Sequence, residues 1–294
     1  MTLTWINPAN PDQVVVWDGK QFNFDGQQAR ILRYPVSVEG WNSGLAGLMH
    51  SENDKGRPIG NASRRHVLNQ INTYVPEAHG AEVLEIGCST GLMLEALQEE
   101  YPGMFLAASD VDYDSLLSNA EKFPSVPLFQ MDIAEASVPE GRFDCIISLN
   151  VLEHIKDDKK AIENIKRLLK DGGLLILELP AGAALYDVYD KELKHYRRYD
   201  MNQLVSLLKS TGLEVLEKSH LGFLPYPLFW LRKKLNRKHL ESDESTRARI
   251  TSQYMRQSKR SRILSAMFRI EEYLRKVTYL PFGIRCLVTC RKRA

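Results

Sequence analysis

Apolar residues along this chain follow two alternating rhythms. Predominantly apolar runs at 81–86, 105–109, 126–131, 143–149 and 174–179 are separated by stretches at 92–98, 113–122 and 158–170 in which apolar positions recur every three or four residues. The first rhythm predicts strands covered on both faces, the second amphipathic helices. In 158–170 the stripe is Ile162, Ile165, Leu168 and Leu169, and Gly172-Gly173 reads as its stop. Further on, Asp200 with Gln203 in the capping-box position predicts a helix that Gly212 ends, and 214–219 reads as a sixth strand. Strands alternating with helices predict the α/β class, a doubly wound parallel sheet with helices on both faces.

The flanks depart from that alternation. Residues 13–37 contain short β-like runs at 14–17, 22–24 and 29–36, separated by Asp18-Gly19 and Asp25-Gly26, dipeptides that favour hairpin turns. Residues 1–60 are therefore expected to form a small β-rich N-terminal extension. The main domain is expected over 61–294, opening with a helix whose apolar face is Val67, Leu68, Ile71, Tyr74 and Val75. After the sixth strand comes a basic, helix-prone block at 221–282, with Ile263, Met267, Ile270 and Leu274 at helical spacing. The run 284–289 then reads as the last strand of the same sheet, which makes the block a helical insertion.

Composition narrows the class. With 294 residues, 44% hydrophobic and 26% charged, the chain can bury its own core without disulfide or metal staples. The longest apolar run, 221–231, is eleven residues with two prolines, too short to span roughly 30 Å of hydrocarbon. The first residues lack the pattern of a secretory signal, so a cytoplasmic location is expected. Cys88, Cys145, Cys286 and Cys290 are expected to be reduced structural residues; no cysteine–histidine grouping has zinc spacing, and no metal is expected. From Trp230 onward there are 18 Lys+Arg against 5 Asp+Glu, a net +13, whereas the preceding 229 residues carry −11. A basic tail on an acidic body could meet phosphate, an anionic membrane surface or water.

The candidate chemistry lies at strand ends. Glu85-Ile86-Gly87-Cys88-Ser89-Thr90-Gly91 joins the first strand of the alternation to its helix, where glycines let the backbone turn tightly and approach a ligand. Asp110 ends the next strand, 23 residues after Gly87, near the spacing of an acid that accepts from ribose hydroxyls; Asp132 ends the third, where a carboxylate can accept from an adenine amino group. Together these acceptors define one crevice. A nicotinamide-binding loop needs its third glycine later than this loop supplies one.

These residues, with Ser109-Asp110-Val111, Gln130-Met131-Asp132-Ile133, Asn150-Val151-Leu152-Glu153-His154-Ile155 and Leu169-Lys170-Asp171-Gly172-Gly173-Leu174, resemble the class I S-adenosylmethionine-dependent methyltransferases over about residues 61–220. The Leu-Glu-His-Ile stretch resembles the branch of quinone-ring, natural-product and sugar O-methyltransferases. The resemblance implies a Rossmann-like sheet and S-adenosyl-L-methionine as cofactor. Its methionine part would be held by Glu85, Gly87, Cys88, Ser89 and Gly91, its ribose by Asp110 with Val111, and its adenine by Asp132 and Ile133, with Asn150 close by. One position departs from the family: Ser89 stands where glycine is usual.

His154, just past the fourth strand on the ligand side, is the candidate general base for a hydroxyl acceptor, its alternative being a packing role. His195-Tyr196-Arg197-Arg198-Tyr199, between the fifth strand and the Asp200 helix, is expected at the same mouth, where it suits an anionic or aromatic acceptor. Base-amine methylation motifs and a Pro-Cys nucleophile are absent after the fourth strand, which disfavours nucleic-acid bases. The expected activity is O-methylation of a small, lipid-like or glycan-type metabolite. The alternatives are a cofactor-binding scaffold or regulator without turnover, and methylation of RNA ribose. Residues 221–240 combine aromatics with a basic cluster, which suits either a lid over the acceptor pocket, the favoured reading, or peripheral contact with the anionic inner face of the membrane.

Overall fold

The structure, a computed structural model, describes residues 2–36 except 25, 56–257 except 76, and 261–293, with side chains at 254–257 left out. Parts of the expected extension (37–55) and of the insertion (258–260) lie outside the described residues. At the N-terminus, β1 (Leu3–Asn7), β2 (Asn10–Trp17), β3 (Phe22–Phe24) and β4 (Gln27–Ala29) form an antiparallel sheet in that order. Its β2–β3 turn is held by Asp18, whose Oδ1 accepts from the backbone N–H of Lys20 and Gln21.

The next strand, β5 (Ile31–Arg33), belongs to the main sheet and not to the small one. Then follow α1 (Pro58–Tyr74), β6 (Glu82–Ile86), α2 (Leu92–Glu100), β7 (Phe105–Asp110), α3 (Tyr113–Lys122), β8 (Leu128–Gln130) and β9 (Phe143–Leu149). The chain continues through α4 (Asp158–Leu168), β10 (Leu169–Pro180), α5 (Val188–Glu192), α6 (Met201–Ser210) and β11 (Leu213–Leu221). Helices α7 (Tyr226–Asn236), α8 (Glu244–Gln257) and α9 (Arg262–Arg275) fill the insertion before β12 (Arg285–Lys292). The eight-stranded order is β11-β12-β10-β9-β6-β7-β8-β5. Strands β5 to β10 pair in parallel, and β12 lies antiparallel between β10 and β11. The last strand thus closes the same sheet, as the pattern predicts.

Alternate residues of the central strands feed two cores. On one face Leu84, Ala107, Ile146 and Leu177 meet Ile162, Ile165 and Leu168 of α4 and Leu204 and Leu208 of α6. On the other, Val83, Ala108, Cys145 and Ile176 meet Val67 and Ile71 of α1, Leu94 and Leu97 of α2 and Leu116 of α3. No helix joins β8 to β9, and the N-terminal sheet supplies cover on that side: Trp5 and Phe22 stack on Phe129 at 4.3 and 5.2 Å between ring centroids. The extension therefore shares the core of the main sheet rather than sitting apart from it.

Two local expectations change. Gly172 and Gly173 do not separate helix from strand: α4 ends at Leu168, β10 starts at Leu169, and the glycines occupy a bulge between Leu169 and Leu174 with Gly172 at φ +78°. Asp200 precedes α6 with extended backbone but makes no side-chain cap; its Oδ1 accepts from Ala183 N–H at 3.1 Å instead.

Candidate active site

The loop after β6 is bent by three residues in the left-handed region, Gly87 (φ +79°), Ser89 (φ +44°) and Gly91 (φ +77°). A Cβ on Gly87 would lie 2.4 Å from Val151 Cγ2, so only glycine lets the loop pass under the chain leaving β9. Ser89 carries the strained conformation that glycine would adopt freely, which is the physical content of its departure from the family pattern. The loop is pinned from three sides. Gly87 and Cys88 N–H donate to Ser109 O at 2.8 and 3.0 Å, Ser89 N–H donates to Asp110 Oδ2 at 2.8 Å, and Asn119 Nδ2 of α3 donates to Ser89 O at 2.8 Å.

Asp110 thus has a task the sequence did not suggest: its buried carboxylate also accepts from Asp112 N–H at 2.9 Å, tying loop, strand end and next helix together. Val111 O accepts from Gln130 Nε2. Asp132 is half-buried at the end of β8, with Oδ1 accepting from Ala134 N–H. The side chains of Cys88 and Ile133 are buried in the two cores, so they pack within the protein. Glu85 is buried beneath the loop, and its Oε2 has no hydrogen-bond partner among the described residues. Burial, with the Asp110 charge second, pushes the Glu85 carboxyl well above the usual carboxylate range. A buried acceptor lacking a donor, beside a glycine cradle, fits the ammonium group of an amino-acid ligand.

Across the β6–β9 pair, Asn150 leaves β9 in the left-handed region (φ +55°) and donates from Nδ2 to Glu178 Oε1 at 3.2 Å. Glu178, a lone acid within the apolar run of β10, also accepts from Ser63 Oγ at 2.9 Å and pairs with Arg285. The 3-10 turn Leu152–His154 follows. There His154 meets the His195 ring edge-on, with centroids 4.6 Å apart at 89°. Glu153 is 1% exposed, its Oε2 has no partner among the described residues, and burial pushes its carboxyl up to about 8.

Of the 195–199 stretch, only part faces this cluster. Arg198 is buried, donating from Nε to Ala181 O and from NH1 to Asp190 Oδ1 at 2.8 Å; Tyr199 is buried with its OH donating to Asp158 Oδ2 at 2.8 Å. Arg197 pairs with the same Asp158 at 2.5 Å, and Tyr196 is exposed. His195 is buried with Nδ1 3.0 Å from Asp190 Oδ1, and burial holds its imidazole below the usual range. Burial works against the Asp190 charge, but the His195 bond and the Lys233 and Arg198 charges outweigh it and hold this carboxyl well below its ordinary value. Lys233 of α7 reaches Asp187 at 2.6 Å and Asp190 at 2.8 Å. Sequence reading missed Asn119, Glu178, Asp187 and Asp190, and counted Lys233 in the basic cluster of 221–240, where the structure buries it against the last two. Only Glu178 carried a signal, as a charge inside an apolar strand.

Comparison with known proteins gives the arrangement a family. The profile of the methyltransferase domain matches residues 61–218. A Mycobacterium tuberculosis protein named as an S-adenosylmethionine-dependent methyltransferase is 25% identical over 151 residues, 51% of this chain and 54% of its own, so the chain spans about half the length of that relative. The ubiquinone biosynthesis O-methyltransferase of Coxiella burnetii is 29% identical over 203 residues, covering 62% of this chain and 86% of the relative. Among solved structures, Haemonchus contortus phosphoethanolamine N-methyltransferase 2 with S-adenosyl-L-methionine has the same fold, with TM-score 0.52 and 20% identity over 78% of this chain and 53% of that one. With its glycine cradle under Val151 and its acidic strand ends, the chain belongs to the S-adenosylmethionine-dependent methyltransferases.

Proposed function

We propose that the protein transfers the methyl group of S-adenosylmethionine to an oxygen of a small, lipid-like acceptor. The observation that carries this reading is the Glu153–His154–His195 cluster, set at the carboxyl end of β9 beside the loop of the neighbouring β6. Glu85 and the backbone of 87–91 would hold the methionine part of the cofactor, Asp110 the ribose and Asp132 the adenine. When bound, the cofactor supplies a methyl group already activated as a sulfonium, so orientation alone can contribute about 7–11 kcal/mol. What remains is removal of the acceptor's proton, which an oxygen acceptor needs and which is worth roughly 10²- to 10⁴-fold. That task falls to His154 and its neighbours. The Coxiella relative, an O-methyltransferase by name, supports oxygen.

A lipid-like acceptor is supported by α7. Its inner face carries buried Phe229 and Lys233, whereas Leu228, Leu231 and Leu235 are exposed on the outer face, with Trp230 under Lys234 at 4.4 Å. The helix is thus clamped to the mouth on one side and apolar on the other. Incubating the protein and cell extract with methyl-labelled donor tests the reading. Label in ether or ester linkage in the lipid fraction is expected, and label confined to nitrogen overturns it. His154→Ala should lower turnover by about 10² or more while cofactor affinity stays within a few-fold. Joint loss of both would mark His154 as a prop of the cofactor site.

A further inference from the structure

Glu153, His154 and His195 place one carboxylate oxygen and two imidazole nitrogens within 4.8 Å of one another, and this is the group of potential metal ligands found among the described residues. We propose that these three side chains form a binding site for a divalent transition-metal cation that holds and acidifies the acceptor hydroxyl. The proposal rests on the O-methylation reading above and specifies how the proton is removed.

Three independent features point the same way. Glu153 is 1% exposed, and its Oε2 has no partner among the described residues, an arrangement that a cation would satisfy. His195 already has the support that metal-bound histidines use: Nδ1 meets Asp190 at 3.0 Å, so in the neutral ring the proton sits on Nδ1 and the lone pair on Nε2. Asp190 is in turn fixed by Arg198 and Lys233, both at 2.8 Å, so the orienting carboxylate is itself rigid. Finally, the donor set selects the ion. Two imidazoles and one carboxylate suit Zn²⁺, Mn²⁺, Fe²⁺ or Co²⁺, whereas Mg²⁺ and Ca²⁺ favour all-oxygen shells.

Three protein ligands leave coordination positions open, the pattern of a catalytic rather than a structural site. An acceptor hydroxyl bound there becomes more acidic, as water does on such ions. Its O–H bond then breaks heterolytically, the electron pair staying on the bound oxygen and the proton passing to solvent water. His154 on this account is a ligand, and its loss impairs turnover by releasing the ion.

The test is metal binding by the untagged full chain after chelator treatment, with Mn²⁺ alone followed by electron paramagnetic resonance and Zn²⁺ alone by competition with a chromophoric chelator. The expected result is one ion per chain, with Glu153→Gln and His195→Ala each weakening binding at least 10-fold while S-adenosylmethionine affinity and the thermal midpoint stay close to wild type. Asp190→Asn should weaken it by about 10- to 100-fold if the protein remains folded. Absence of stoichiometric binding by folded wild-type protein overturns the proposal, as does undiminished binding by the double variant Glu153→Gln/His195→Ala. Metal bound stoichiometrically with label found only on nitrogen would sustain the site and remove the O-methylation reading. Methyl transfer to oxygen at full rate in metal-free protein would do the reverse.

Discussion

Single residues here do more than one thing, and Asp110 shows it. Its carboxylate holds Ser89 and Asp112 through their backbone N–H groups, and the function proposed above would add a ribose to its partners. Asp110→Ala should weaken S-adenosylmethionine binding by about 10- to 150-fold, the equivalent of 1.5–3 kcal/mol for bonds to a charged group. Unchanged affinity by titration calorimetry would remove Asp110 from the cofactor site. His66, buried on α1, illustrates a residue whose burial has a pH signature. Burial first, and the Arg275 charge second, lower its pKa from 6.5 to about 3. Between those values the unfolded chain binds a proton that the folded chain does not, so stability falls as pH drops through this window, by up to about 1.36 kcal/mol per pH unit from this residue. Urea unfolding at several pH values should show a shallower acid-side loss for His66→Leu than for wild type. Parallel pH curves would refute this assignment.

At the scale of elements, the helix that the sequence favours as a lid over an anchor is fastened by one buried lysine. Lys233 of α7 meets Asp187 and Asp190 around α5 with almost no solvent contact, and a buried charge left without its partner costs about 3–5 kcal/mol. Lys233→Met should therefore lower the thermal midpoint clearly in scanning calorimetry. A change of less than a degree would mean the pair contributes little. Phe229 is buried, yet Trp230 and three leucines stay outside, so a lid role and an anchor role would fall on opposite faces of the same helix. If the outer face meets a bilayer, wild-type protein should sediment with anionic vesicles and release at high salt, each basic residue near the surface contributing about 1 kcal/mol. Leu231→Glu with Leu235→Glu should abolish that sedimentation. Negligible sedimentation of wild type would leave α7 a lid alone.

For the whole molecule, the acidic body and basic tail turn out to be partly complementary to each other. From the tail, Lys233 pairs with Asp187 and Asp190, Arg247 with Glu192, Arg285 with Glu178 and Lys292 with Asp171. Part of the +13 is thus spent within the protein, and the charge left at the surface near α7 is smaller than the count along the chain suggests. Among the described residues, no helix is long and apolar enough to cross a membrane.

What the sequence determined by itself was most of what depends on neighbours along the chain, though not the Gly172-Gly173 bulge or the missing Asp200 cap. Periodicity placed the strands and helices of the sheet, because burial on two faces writes continuous apolar runs and burial on one writes a stripe. The same local logic marked Gly87, Gly91, Asp110 and Asp132, since a loop after a strand must bend and a strand end must present its side chain. Tertiary structure alone decided what depends on distant partners. It moved β5 into the main sheet, where pairing with β8 outweighs proximity to the small one. It gave Asp200 to Ala183 rather than to its own helix, and buried Arg198 and Tyr199 against Asp190 and Asp158 instead of leaving them at the mouth. It also brought His195 against His154 across 41 positions of sequence, a spacing that carries no ligand signal because the turns between them are set by long-range packing.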